Sequence, residues 1–288
     1  MFWQTSRFQI DLTRPRVMGI VNTTPDSFSD GGKFYRPDGS VLGVFERCAQ
    51  LIEEGADILD IGGESTRPGA APLPLEDELA RVLPVVRHAV RLGVPVSVDT
   101  YKPEVMQAVL DLGADIINDI WALRHDGAHE VISLHPTCGV CLMHMHREPT
   151  TMQVSPMQGN VPEQVLDFLK KSAAQLEALG VAASRIVLDP GIGFGKTVEQ
   201  NFALLARQRE LLQAGYPVLA GWSRKSSLAA VLNDSLESVA KLDVTDRMVP
   251  SVSAALLAVD RGARVVRVHD VRETVQALNV WTAAGGVP

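Results

Sequence analysis

The stretch GADILDI, residues 55–61, returns as GADIIND at 113–119 and as GARVVRV at 262–268. Each copy is a glycine suited to stopping a helix, followed by a short apolar run. Looser copies begin at Gly93 (VPVSVD), Gly139 (VCLMH), Gly180 (VAASRIVLD) and Gly215 (YPVLAG), and VMGIV at 17–21 supplies one more run. Glycine fits the left-handed position that closes a helix, and β-branched runs of this length suit strands buried on both faces. Between the runs lie segments whose apolar residues recur at threes and fours: VLGVFERCAQLIEE, EDELARVLPVVRHAV, PEVMQAVLDL, VPEQVLDFLKKSAAQLEAL and VPSVSAALLAVDR. Alternating β and α units of this number predict an α/β fold, a single-domain (β/α)8 TIM barrel over residues 1–288, with an open doubly wound sheet as the alternative.

Composition agrees with that frame. The chain has 288 residues, 46% hydrophobic and 21% charged, enough for one large core. Its net charge of -7 and lack of any Lys/Arg run argue against a nucleic-acid or anionic-membrane partner and favour small molecules. No stretch is apolar for long enough to span a membrane, and the start, MFWQTSRFQID, has no secretory pattern, so a cytoplasmic location is expected. Three cysteines build no disulfide framework. The pair in CGVC, Cys138 and Cys141, invites a redox or zinc reading. Cys141 instead heads a strand-like run, and a second cysteine pair is missing, so a small apolar role is preferred.

The ends of the runs carry the chemistry. In order they are Asn22; Gly62-Gly63-Glu64; Asp99; Asn118-Asp119; His144; Asp189; Trp222-Ser223-Arg224-Lys225; and Arg267 with His269. A barrel brings these ends to one rim. Any one alone reads as a satisfied loop residue, whereas the full set joins carboxylates, amides and cations in one place. A carboxylate there suits a heterocycle edge with adjacent N–H donors, and Arg267 and His269 alternate on one strand so that both can face an anion. NTTPDSFSDGG and GGESTRPGAAPLP have the glycine and proline density of mobile lids. Ser226 in GWSRKSS falls at the start of an expected helix, where free N–H groups favour an anion or make a plain cap. DPGIGFGK, 189–196, looks like a phosphate loop but lacks the Walker spacing.

Taken together, NTTPDSFSDGG, GGESTRPGA, SVDT, INDI, CLMHM, DPGIGFGK, SRKS and RVHDV, in this order from Asn22 to Val271, resemble the dihydropteroate synthases, folate-pathway enzymes inhibited by sulfonamides. The resemblance implies transfer of a pterin methylene group from 6-hydroxymethyl-7,8-dihydropterin diphosphate to 4-aminobenzoate, Mg²⁺ as cofactor, and a homodimer. It places Asn22 on Mg²⁺ and the diphosphate, with Arg267 and His269 on the diphosphate. Asp99, Asn118, Met143, Asp189, Phe194, Gly221, Lys225 and Arg267 fall to the pterin; Phe28, Thr66, Arg67, Pro68 and Ser226 to the aminobenzoate, with Asp26 on a lid. Asp99, Lys225, Arg267 and His269 form the implied catalytic set. Thr23, where Val is commoner, and Pro250-Ser251, where Gly-Ser or Gly-Thr is commoner, depart from the pattern, and only local effects are expected. The rival readings are a pterin-dependent methyltransferase domain, a Schiff-base aldolase using Lys225 or Lys196, and a non-catalytic pterin-binding paralogue.

Overall fold

The computed structural model describes residues 1–23, 42–65, 71–147, 152, 154–235 and 247–287. Strands β3 (Arg16–Asn22), β4 (Ile58–Gly62), β5 (Val96–Asp99), β6 (Ile116–Asp119), β7 (Gly139–Met143), β8 (Ile186–Asp189), β9 (Val218–Ala220) and β10 (Ala263–Val268) pair in parallel and close into a barrel, β10 returning to β3. Closure rules out the open sheet. The glycines of the repeated phrase, Gly55, Gly113 and Gly262, have φ of 103°, 93° and 92°, the left-handed turn that stops a helix and starts the next strand.

The outer layer comprises α1 (Leu42–Glu53), α2 (Leu75–Ala89), α3 (Pro103–Asp111), α4 (Ala128–Leu134), α5 (Val161–Ala178), α6 (Val198–Ala206), α7 (Ser226–Ser235), α8 (Met248–Asp260) and α9 (Val271–Ala283). The five helices expected from apolar spacing occur within a residue or so of their expected bounds. Of the others, α6 opens on a capping box, in which Thr197 Oγ1 accepts from the Gln200 N–H at 3.2 Å and the Gln200 side chain accepts from the Thr197 N–H at 2.9 Å. Pro250 lies in the first turn of α8, where no intrahelical N–H is lost. Ser251 Oγ beside it accepts the Arg224 N–H at 2.8 Å. Thr23, the other departure, donates its hydroxyl to the Gly62 carbonyl at 3.0 Å.

A hairpin that apolar spacing does not reveal, β1 (Phe2–Gln4) with β2 (Gln9–Asp11), covers the N-terminal end of the barrel. Its Trp3 has no solvent exposure, donates Nε1–H to the Arg185 carbonyl at 2.9 Å, and lies where a Cβ on Gly139 would come within 2.9 Å of Nε1. Trp3, Ile10 and Leu12 pack on Met18, Ile58, Ile116, Cys141, Val187, Leu219 and Val265, which fill the lower interior. Trp3→Ala opens a cavity there and is expected to lower unfolding free energy by about 3–5 kcal/mol. Urea denaturation measures this; a loss under about 1 kcal/mol would show that the hairpin does not support the barrel.

Candidate active site

Strand side chains repeat on one face every second residue. Two positions beyond the lower apolar layer, the same inward face therefore carries chemistry: Ile58 leads to Asp60, Ile116 to Asn118, Cys141 to Met143, Val187 to Asp189, Leu219 to Gly221 and Val265 to Arg267. Asn22 ends β3, exposed at the rim, and Asp99 ends β5 beside Asn118 of β6. Asp99, Asn118, Asp189 and Arg267 thus converge as expected, Asp119, His144 and Trp222 do not, and one residue is added. Asp60, fully buried, was not among those expected.

Asp60 is central to the charge arrangement. Arg267 donates from Nε to Asp60 Oδ2 at 2.6 Å and from Nη2 to Asp99 Oδ2 at 2.7 Å, and Asn118 Nδ2 donates to Asp60 Oδ2 at 3.3 Å. One guanidinium thus serves two carboxylates. Burial pushes the Asp99 carboxyl up to about 7; Arg267 opposes this and the negative charge of Asp60 adds to it. Burial acts against the charge on Arg267, but Asp60 and Asp99 outweigh it and its pKa is raised. Asp60 Oδ1 has no hydrogen-bond partner among the described residues.

On the opposite wall, Asp189 Oδ1 accepts the Gly191 N–H at 2.7 Å. Burial raises its pKa, against the pull of that N–H and of Lys225 and Arg267. Lys225 Nζ stands 4.3 Å from the centre of the Phe194 ring, and burial together with Arg267 pushes its pKa down to about 8. A Cβ on Gly221 would lie 3.8 Å from Asp189 Oδ2, so glycine keeps that side of the carboxylate open. Phe194 and Met143 belong to an apolar cluster with Ile120, Met145 and Met152, beside Tyr101 and Trp121. Ile120 is the last residue of the INDI phrase, and it was not singled out.

His269 contacts Ser223, whose Oγ lies 2.9 Å from Nδ1 and accepts the His269 backbone N–H at 3.1 Å. That pair of contacts holds the imidazole in place whichever ring nitrogen carries the hydrogen. Ser226 opens α7 and is exposed. Phe28, Thr66, Arg67 and Pro68 lie outside the described residues, as does Asp26. Just before the second of those segments, Glu64 pairs with Lys102, which also reaches Glu78 at 2.5 Å; Thr100 Oγ1 donates to Glu78 at 2.7 Å. Burial works against the Lys102 charge, but Glu64 and Glu78 prevail and raise its pKa to about 12. That ion-pair network anchors the loop's root.

Two sequence features prove structural. Asp119 faces away from the pocket and accepts the N–H groups of Trp121 and Leu123, both at 2.7 Å, fixing the turn in which Ala122 and Leu123 have φ of 51° and 61°. Cys138 and Cys141 are buried free thiols, and no cluster of metal-binding residues occurs among the described residues.

The family described as pterin binding enzyme matches residues 18–269. A dihydropteroate synthase of Neisseria meningitidis serogroup C is 47% identical over 285 residues, 98% of this chain and 97% of that protein. The crystal structure of Burkholderia cenocepacia dihydropteroate synthase complexed with 7,8-dihydropteroate superposes with a TM-score of 0.86 at 48% identity, covering 99% of this chain and 96% of that one. Xanthomonas albilineans dihydropteroate synthase with 4-aminobenzoic acid gives 0.85 at 45% identity, covering 97% and 96%.

The shared guanidinium predicts how the carboxylates are coupled. Asp60→Asn removes a negative charge beside Asp99, so the Asp99 pKa is expected to fall from about 7 towards 3.8. Folded Asp99 holds its proton to higher pH than the unfolded chain does, so its contribution to stability declines as pH rises from about 4 through about 7. The variant should show a shallower decline. Carboxyl NMR titration of Asp99 in both proteins measures the shift; an unchanged value would mean that Asp60 does not act on it.

Proposed function

The chain belongs to the pterin binding enzyme family, among its dihydropteroate synthases, and from this premise we propose the reaction that its geometry supports. The protein condenses 6-hydroxymethyl-7,8-dihydropterin diphosphate with 4-aminobenzoate, giving 7,8-dihydropteroate and diphosphate. The observation that carries this reading is the inward ring of acceptors, Asp60, Asp99, Asn118 and Asp189, facing an apolar wall of Met143, Ile120 and Phe194. A flat ring with several N–H donors on its edge satisfies both halves of such a pocket. The ligands named for the Burkholderia and Xanthomonas structures, a dihydropteroate and an aminobenzoate, are the product and one substrate of this reaction.

In the proposed mechanism Asp189 takes the pterin N–H donors side by side, Asn118 and Asp99 hold the opposite edge, and Lys225 covers the ring from above Phe194. The carbon–oxygen bond to diphosphate breaks and its electron pair leaves with the diphosphate. Arg267 and His269 receive the growing negative charge, and the carboxylate of Asp99 stabilises the methylene cation. The amine lone pair of 4-aminobenzoate forms the new carbon–nitrogen bond, and a proton leaves the nitrogen. A weak aromatic amine suffices against a cation, so no Ser-His-Asp set is required. Ser226 in the first turn of α7 offers a helix N-terminus to the aminobenzoate carboxylate. The contributions of Phe28, Thr66, Arg67 and Pro68 to that side are part of the same proposal.

Asn22 presents one neutral amide at the rim, a donor set that suits a Mg²⁺ carried in on phosphate oxygens and still partly hydrated. When bound, the ion supplies charge neutralisation to the leaving diphosphate. A homodimer is also proposed. Val249 and Leu257, two helical turns apart on α8, are 65% and 45% exposed, and Val280 on neighbouring α9 is 71% exposed, an apolar surface for a second copy. Among the described residues no helix is long and apolar enough to cross a membrane. A cytoplasmic location, with neither membrane nor nucleic-acid partner, completes the proposal and rests on the free thiols and the charge of -7.

Diphosphate release with Mg²⁺ and the pterin diphosphate, with and without 4-aminobenzoate, tests the reaction. Release stimulated by 4-aminobenzoate, with 7,8-dihydropteroate formed, is expected; folded protein that releases none under either condition would refute it. Asp189→Asn keeps shape but sets a donor against a pterin donor, and should cost roughly 3 kcal/mol, or about a hundredfold in pterin affinity. Normal affinity with a lowered melting temperature would remove Asp189 from the site and leave it a loop-holding role.

A further inference from the structure

Lys196 closes the DPGIGFGK loop and takes no part in the mechanism above. It is 3% exposed, yet it is a lysine. Its Nζ lies 2.8 Å from the Gly191 carbonyl, 3.1 Å from the Phe194 carbonyl and 2.9 Å from His144 Nδ1. Burial and the neighbouring Lys196 push the His144 imidazole down to about 2, so the ring is neutral and Nδ1 accepts. These three nearest acceptors match the three hydrogens of an ammonium group, with the His144 carbonyl a longer fourth contact at 3.4 Å. Burial also draws the Lys196 pKa down to about 7, with the Asp189 carboxylate opposing it.

The loop is wound around that point. Gly191, Gly193 and Gly195 have φ of 66°, 85° and 70°, so the chain turns back on itself at every second residue and aims carbonyls, not N–H groups, at the centre. It is the reverse of a phosphate loop. There is no room to move sideways, because a Cβ on Gly191 would meet the His144 carbonyl oxygen at 1.9 Å and one on Gly195 would meet His146 Cβ at 2.6 Å. The loop begins at Asp189, whose Oδ1 is held by the Gly191 N–H, and it carries Phe194, whose ring underlies Lys225. With its hydrogens occupied and its surface covered, Lys196 is not placed for a Schiff base.

We propose that Lys196 is a positioning residue of the pterin pocket: its ammonium group gathers the Gly191 and Phe194 carbonyls and His144 Nδ1, and so sets the Asp189 carboxylate and the Phe194 ring against the pterin. Without it, two buried carbonyls and an imidazole nitrogen lose their donor, and the loop must open to reach water. The effect falls on one substrate, since the loop supplies groups to the pterin and none to the proposed aminobenzoate side. This rests on the pterin reading of the site.

The test is calorimetric titration of wild type and Lys196→Met with 6-hydroxymethyl-7,8-dihydropterin diphosphate and Mg²⁺, together with steady-state kinetics. Lys196→Met is expected to bind the pterin at least about tenfold more weakly, with KM for 4-aminobenzoate at saturating pterin within about twofold of wild type. Equal pterin affinity, or equal losses for both substrates, overturns the proposal. A wild type that binds no pterin diphosphate defeats the functional reading itself, and the clamp falls with it. A wild type that binds tightly while Lys196→Met binds just as well defeats the clamp alone. Should Lys196→Met not fold, His144→Leu and His144→Asn decide. Leu removes the Nδ1 acceptor and should weaken pterin binding roughly threefold or more, whereas Asn offers an amide oxygen and should restore it. Failure of both Lys196→Met and His144→Leu to fold also overturns the proposal, because the clamp would then serve the barrel and not the pocket.

Discussion

The active site depends on the two-residue period of a β-strand. A parallel strand in a barrel has no side facing water, so each inward position is either packed or put to use. Here the lower inward layer is packed, from Met18 round to Val265, and the next layer, about 6.6 Å higher, holds the functional groups. Because the strands are in register, side chains from β4, β6, β8 and β10 reach one level without any long loop having to place them. Precision comes from the framework.

That level is crowded with charge, and its balance explains the pKa pattern. Asp60, Asp99 and Asp189 face Arg267 and Lys225, and Lys196 lies close enough to feel the Asp189 charge. Isolated buried charges would be prohibitively costly, whereas shared ones are tolerable. Arg267 resolves most of this by donating to two carboxylates at once, and it holds a planar geometry that lysine could not. The same balance leaves Asp99 and Lys225 with displaced pKa values.

Much of this arrangement was legible in the sequence, because strand, turn and helix each leave a local mark. The glycines located the strand starts, and the polar residues closing each run located the rim. Asp60 escaped because it sits inside ILDI and looks like part of the run; the spacing from Ile58 to Asp60, the same as that from Ile116 to Asn118, was the available signal. The β1–β2 hairpin escaped because three-residue strands carry no periodicity, and Trp3 has meaning only against Gly139 and Arg185 across the barrel. Lys196 entered only as a rival Schiff-base lysine, because nothing local shows that Gly191, Phe194 and His144 will surround it.

The hairpin has one more consequence. Trp3, Ile10 and Leu12 cover the lower end of a barrel interior already filled by strand side chains, so that among the described residues the inward polar groups open towards the strand C-termini. A compound seated against the packed lower layer can therefore be enlarged in one direction only, towards the rim.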